Sequence, residues 1–191
     1  MEKAVYLTGN KEKKAQAIHV FKDLYHLDID IEKPDFEILE IQADNCADVA
    51  KFSVKYACEK LKRPCIKSDT GLYIEALGGL PGPYNKYFDR QIGVNKFLEL
   101  LKDEENRKAR IEDVFAYCEP GSEPIVFTGG GEGHIAYEAK GHVGRWHDMF
   151  YIPDGEVETL SELREKDYDY ESKFWGCAID DFAKWYKENK M

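Results

Sequence analysis

The order of elements along the chain predicts a mixed-sheet α/β domain with a deep cleft. Strand and helix patterns alternate through the first half, and strand patterns gather in the second. No linker is long enough to split the chain, so residues 1–191 read as one domain with a substantial core.

Lys3 to Thr8 (KAVYLT) reads as a short strand, Gly9-Asn10 as a turn, and a helix begins near Lys11. Ala17, Val20, Phe21 and Leu24 fall at i, i+3, i+4 and i+7 and give that helix one apolar face. Strand, glycine-containing turn and helix form a recurrent phosphate-binding layout. Phe36 to Ile41 (FEILEI) alternates weakly and reads as a second strand. Asn45 to Leu61 is helical, with Val49, Val54, Ala57 and Leu61 as its stripe. Pro64 ends it, and Cys65-Ile66 opens a strand running toward Asp69.

Asn85 to Leu101 is a helix interrupted at Gly93, and the charged run Lys102 to Lys108 is a solvated end. Ile111 to Cys118 and Ile125 to Thr128 are strands around the turn Glu119-Pro120-Gly121-Ser122. His134 to Glu138 is a further strand. Ser161 to Lys166 is a short helix, and Ala178, Phe182 and Trp185 recur at helical spacing near the end.

Composition narrows the function classes. Hydrophobic residues at 43% and charged residues at 34% make an ordinary globular mix. No apolar run approaches the roughly 20 residues of a membrane span, and MEKAVYLTGN lacks a signal peptide's apolar centre. A soluble, cytoplasmic protein with no membrane partner is the expectation. A net charge of −10 argues against a nucleic-acid partner but leaves room for a small anionic ligand held by local lysines and a metal ion. The five cysteines are odd in number, widely spaced and without a CxxC, which fits buried thiols. The five histidines show no HxH or HExxH spacing, and no serine sits in GxSxG, so zinc-enzyme and serine-hydrolase chemistry have no support.

Three stretches carry candidate chemistry. Asp69 lies just past a predicted strand, and Glu40 holds a comparable place after FEIL. Two carboxylates on neighbouring strand ends can share Mg²⁺, which favours oxygen ligands and keeps water and substrate phosphates; from spacing alone, each reads first as a surface charge. TGNKEKK (8–14) offers helix N-terminal amides and lysines to a phosphate, or simply a solvated first turn. GGLPGPY (78–84) packs three Gly and two Pro into a stiff loop, with Lys86 close behind. The Gly129–Gly131 triplet reads as a bulge or bend rather than a phosphate loop.

Together these segments resemble the inosine triphosphate pyrophosphatase family, also called Ham1-like or non-canonical purine nucleoside triphosphate pyrophosphatases. DTGLYIEALGGLPGPYNKYF (69–88) is similar to the family signature, TGNKEK (8–13) to its (T/S)xNxxK motif, and LEIQ, with Glu40, to its next acidic block. GHIAYEAKG and the region 148–153 resemble its later G.I…RG..G.(Y/W)DP.F segment. The resemblance implies an elongated mixed sheet with flanking helices, two lobes around a central nucleotide-binding cleft, and a homodimer. It implies Mg²⁺-dependent hydrolysis of a nucleoside triphosphate between the α and β phosphates. By position, Thr8, Asn10 and Lys13 would hold the triphosphate, Glu40 and Asp69 would bind Mg²⁺ or orient water, and Thr70 and Lys86 would contact phosphate.

The departures are specific. The family commonly has two acids where this chain has Ser68-Asp69. Its purine-reading GFGYDP or GFGWDP is here GRWHDM (144–149), which puts Arg145 and His147 at the aromatic positions and keeps Asp148. The family's SHR block has no clean counterpart: alignment on Ala178 places Lys173, Phe174 and Trp175 there, and its upstream lysine at Asp169. Phe174 and Trp175 could stack on a base or pack the last helix. Arg145, a donor-only group, favours an acceptor-rich edge such as a 6-oxopurine. The leading expectation is a pyrophosphatase acting on non-canonical purines such as (d)ITP or XTP. The alternative is a catalytically impaired nucleotide sensor or regulatory subunit with a protein partner.

Overall fold

The computed structural model describes residues 3–167, 170 and 177–191. It shows a mixed α/β fold with one seven-stranded sheet and, among the described residues, six α-helices. Strand order is β2 (Asp30–Glu32), β1 (Val5–Leu7), β3 (Cys65–Ile74), β5 (Lys108–Cys118), β6 (Ile125–Ile135) and β7 (Tyr151–Pro153), with β4 (Pro81–Gly82) paired to β3. The chain divides into two compact units. One comprises Met1–Asp69, Asp113–Gly129 and Cys177–Met191; the other comprises Thr70–Glu112 and Gly130–Gly176.

In the first unit, β1 (Val5–Leu7) is wholly buried and lies parallel to β2 (Asp30–Glu32) and to β3 (Cys65–Ile74). A continuous apolar run suits a parallel strand covered on both faces. Helix α1 (Lys11–Ile18) starts where expected because Asn10 caps it, its side chain accepting from the Glu12 and Lys13 amides. The helix continues as a π-helical stretch, His19–Leu24, in which Val20 and Phe21 are buried while Leu24 stays exposed. Helix α2 (Cys46–Leu61) is capped by Asn45 and ends at Lys62, which adopts a left-handed φ of 56°.

The expected strand Phe36–Ile41 does not form. These residues are irregular; Phe36 and Ile38 pack partly against the core, and Leu39 and Ile41 are exposed. β2 pairs with β1 instead. FEILEI carries apolar groups on both parities, so no single buried face pins it as a strand.

Two core clusters fill this unit. One joins Tyr6, Phe21, Ile66, Phe115, Tyr117 and Phe182; the other joins Val5, Leu7, Val54, Cys58, Cys65 and Cys118. The last helix, α6 (Ala178–Lys190), buries Phe182 against Phe21, Phe115 and Phe127, and Trp185 packs partly on the same cluster.

In the second unit, β3 turns back on itself. Glu75–Leu77 forms a 3₁₀ turn, and β4 (Pro81–Gly82) returns antiparallel to Leu72 and Tyr73, across a cis Leu80-Pro81 bond. Gly82 sits at φ 54°, where an added Cβ would lie 3.3 Å from the Tyr73 ring. The Gly-Pro density therefore serves a tight strand reversal. Helices α3 (Asn85–Gln91) and α4 (Gly93–Leu100) meet at Gly93, as the pattern predicts.

Arg107 departs from the solvated run expected at 102–108. It is buried, and its guanidinium donates to the carbonyls of Leu101, Ile135 and Ala136. Burial pulls its pKa down.

β5 (Lys108–Cys118) and β6 (Ile125–Ile135) outrun their expected bounds, and the glycine triplet lies inside β6. At Gly130, φ is 128° and a Cβ would meet the Ile111 carbonyl oxygen at 2.0 Å, so the triplet permits close backbone approach. The expected strand at 134–138 is the end of β6, which stops at Ile135. β7 (Tyr151–Pro153) pairs antiparallel with β6. Thr159 and Glu162 form a capping box on α5 (Leu160–Lys166). Leu72, Phe97, Trp146, Phe150, Tyr151 and Leu160 build the core of this unit.

Candidate active site

In the first unit, Thr8, Asn10 and Lys13 lie on the β1–α1 turn and the first turn of α1, Asp69 lies on β3, and Glu40 lies on the irregular segment before α2. Thr8 accepts from the Asn10 amide at 3.2 Å, and Asn10 Oδ1 accepts from the amides of Glu12 and Lys13 at 2.8 and 3.3 Å. That cap fixes the first turn of α1 and the origin of Lys13. The Lys13 ammonium donates to the Ser68 carbonyl at 3.1 Å. Paired register between β1 and β3 reaches Tyr6↔Ile66. Beyond it, Lys13 meets the β3 backbone from the helix that follows β1.

Asp69 lies within β3, not at a strand-to-loop exit as the spacing predicts. The strand continues to Ile74, because Thr70 to Ile74 are buried. Side chains alternate along a strand, so Lys67 and Asp69 share one face and Ser68 takes the other. Lys67, only 14% exposed, lies 3.8 Å from the exposed Glu40 carboxylate. Glu40 thus reaches β3 from an irregular segment through a lysine that sequence reasoning passed over. Lys67 carried no sequence signal, because KSD is polar at every position. Ser68 Oγ is 2.6 Å from the Tyr6 hydroxyl.

Among the described residues, no three acidic, histidine or cysteine side chains gather into a ready-made metal cage. The donor chemistry still fits Mg²⁺, which binds through one or two carboxylates and takes its remaining oxygens from water and phosphate. Glu40 and Asp69 are the carboxylates that would hold it.

In the second unit, Thr70 is buried and follows Asp69 directly. Its carbonyl accepts from Asn85 Nδ2 at 3.0 Å, which ties the start of α3 to β3. Lys86, next on α3, is exposed.

The segment 144–149 is organised around a wholly buried Asp148. Its Oδ2 accepts from the Arg145 amide at 2.8 Å and lies 3.5 Å from Arg164 Nε; its Oδ1 is 3.3 Å from His147 Nε2. Arg164 and His147 are themselves buried. Gly144, at φ 97°, makes this possible: a Cβ there would lie 2.1 Å from Asp148 Oδ2. Ser161 donates to the Val143 carbonyl and accepts from its amide, stapling the loop to α5. Arg145 is half-buried. Arg164 carried no sequence signal, since a lone arginine late in a short helix reads as a dipole partner. Phe174 and Trp175, with Lys173 and Asp169, lie outside the described residues.

The comparisons with known proteins agree with one another. The model of the Ham1 family matches residues 4–185. A dITP/XTP pyrophosphatase of Methanopyrus kandleri is 40% identical over 190 residues, covering 98% of this chain and 97% of that protein. One of Methanosarcina acetivorans is 36% identical over 186 residues, covering 97% and 98%. A solved HAM1 protein from Coxiella burnetii superposes with a TM-score of 0.81 at 24% identity, covering 98% of this chain and all of that one.

Proposed function

The chain belongs to the Ham1 family, and we propose that it is a nucleoside triphosphate pyrophosphatase acting on non-canonical purines of the dITP and XTP class. The products are the nucleoside monophosphate and pyrophosphate. The observation that carries the reading is the anchoring of Lys13 on the Ser68 carbonyl, one residue before Asp69, from a helix capped by Asn10.

Each residue then has a task. The N-terminus of α1 and the Lys13 ammonium attract the triphosphate. Thr8 and Asn10 hold the turn that aims them. Asp69 orients the attacking water and takes its proton. Glu40 joins Asp69 as a carboxylate ligand for Mg²⁺, while Thr70 and Lys86 serve the phosphates. Bound Mg²⁺ would neutralise the polyanion and favour in-line attack. At the base end, Arg145 offers donors to a 6-oxopurine edge, and Asp148 with His147 holds the loop that presents it. Phe174 and Trp175 stay as stacking candidates. A homodimer and a cytoplasmic location complete the proposal; five free thiols suit a reducing compartment.

Ser68 favours a second reading, a nucleotide sensor with a protein partner, because one carboxylate of the resembled motif is missing. It predicts saturable binding without product. The discriminating experiment is a panel of ITP, dITP, XTP and canonical triphosphates, with and without Mg²⁺, assayed for pyrophosphate. Preferential turnover of deaminated purines supports the enzyme. No turnover of any nucleotide at high enzyme concentration overturns it.

A further inference from the structure

We infer that Tyr6 is a positioning residue for the Asp69 carboxylate, acting through Ser68; the inference rests on the pyrophosphatase reading of the same site.

Tyr6 is fully buried in the middle of β1, and its ring cannot swing. It stacks on Phe115 with centroids 5.5 Å apart and meets the edge of Phe21 at 6.0 Å. Its register partner is Ile66, and Ser68 lies two residues further along β3, on the same face. The phenol reaches that one step and meets the Ser68 hydroxyl at 2.6 Å. A tyrosine hydroxyl in a core needs such a partner, because an unmatched buried hydroxyl is costly.

Ser68 is therefore held at two atoms, by Tyr6 at its hydroxyl and by Lys13 at its carbonyl. The second contact bears directly on Asp69. The Ser68 carbonyl and the Asp69 amide belong to one planar peptide unit, so fixing the oxygen fixes the plane that enters Asp69. With Ser68 pinned on one face, the Asp69 side chain is directed to the other, beside Lys67 and its Glu40 partner. Serine at 68 is in this account half of a matched pair with Tyr6, and the departure from the two-acid motif is a different way of holding the same carboxylate.

The test uses the full-length protein and four variants: Tyr6→Phe, Ser68→Ala, Ser68→Thr and the double Tyr6→Phe/Ser68→Ala. Steady-state kinetics on dITP with Mg²⁺ are measured beside thermal melts. Loss of one neutral hydrogen bond predicts a kcat about threefold to tenfold lower for Tyr6→Phe and for Ser68→Ala, with KM little changed. The double variant should be no slower than the worse single, since both remove one interaction. Ser68→Thr keeps the hydroxyl and should restore the wild-type kcat. A purely structural pair would lower the melting temperature and leave kcat in place, and that result overturns the inference. So does additivity in the double variant. A wild type that turns over dITP while the variants match it sinks the positioning role alone. A wild type that releases no pyrophosphate from any nucleotide sinks the pyrophosphatase reading, and the role with it.

Discussion

The Lys13 ammonium is hydrogen-bonded at 3.1 Å to the carbonyl of Ser68, 55 residues away in sequence. A lysine on the first turn of a solvated helix would normally sample many rotamers; this one is tethered to the strand that carries Asp69. Its charge is thus placed before substrate arrives, which is the condition under which a fixed donor contributes most to a transition state. Lys13→Met should lower kcat/KM by about a hundredfold or more, the range seen when one preorganised donor is removed. Lys13→Arg should recover only part, because a planar fork does not reproduce a point charge. Kinetics on dITP, with circular dichroism to confirm folding, check both.

Asp69 and Glu40 should separate in their effects. Asp69→Asn removes the proposed base and should lower kcat by about a hundredfold to ten-thousandfold even at saturating Mg²⁺. Glu40→Gln removes the proposed metal ligand from an exposed loop, so its defect should shrink as Mg²⁺ is raised. Mg²⁺ titrations of kcat for both variants distinguish the roles, and chelation should abolish turnover in the wild type.

The elements legible in the sequence are those fixed by local chemistry. Asn10 and Asn45 cap the helices they precede, Gly93 breaks α3 from α4, and Thr159 with Glu162 opens α5. What escaped depends on partners far along the chain. FEILEI looks like a strand in isolation, but β2 pairs with β1. Asp69 looks like a strand end because KSDT is polar, yet the buried run Thr70–Ile74 carries β3 onward. Arg107 sits in a charged run and is nevertheless buried against three carbonyls. The Tyr6–Ser68 and Asp148–Arg164 contacts have no sequence signature, because neither partner is near the other in the chain.

The buried Asp148–Arg164 pair gives a stability prediction. Removing one partner leaves an uncompensated charge, so Arg164→Gln should destabilise the protein by about 3–5 kcal/mol. Asp148→Asn combined with Arg164→Gln should cost clearly less than the sum of the singles. Equilibrium urea unfolding of the three variants measures this directly.

Three buried thiols give a prediction for the alkaline range. Burial pushes Cys58 up to about 11 and Cys65 and Cys118 up to about 12. An unfolded cysteine titrates near about 8.5, so above that pH the unfolded chain loses protons that the native state keeps. The thiol contribution is fully present below about pH 8.5 and is lost as pH rises toward the native values. Urea unfolding from pH 7 to 10.5 should show a progressive fall in stability above about 8.5. In the native protein all three should resist iodoacetamide at pH 8 and react once urea is added.

The most direct test of the account is ³¹P NMR of dITP incubated with the wild-type protein and Mg²⁺. Cleavage between the α and β phosphates predicts equimolar pyrophosphate and dIMP, the pyrophosphate resonance growing with twice the intensity of the dIMP resonance, and neither when Mg²⁺ is chelated. Orthophosphate with dIDP, or an unchanged dITP spectrum at high protein concentration, would contradict it.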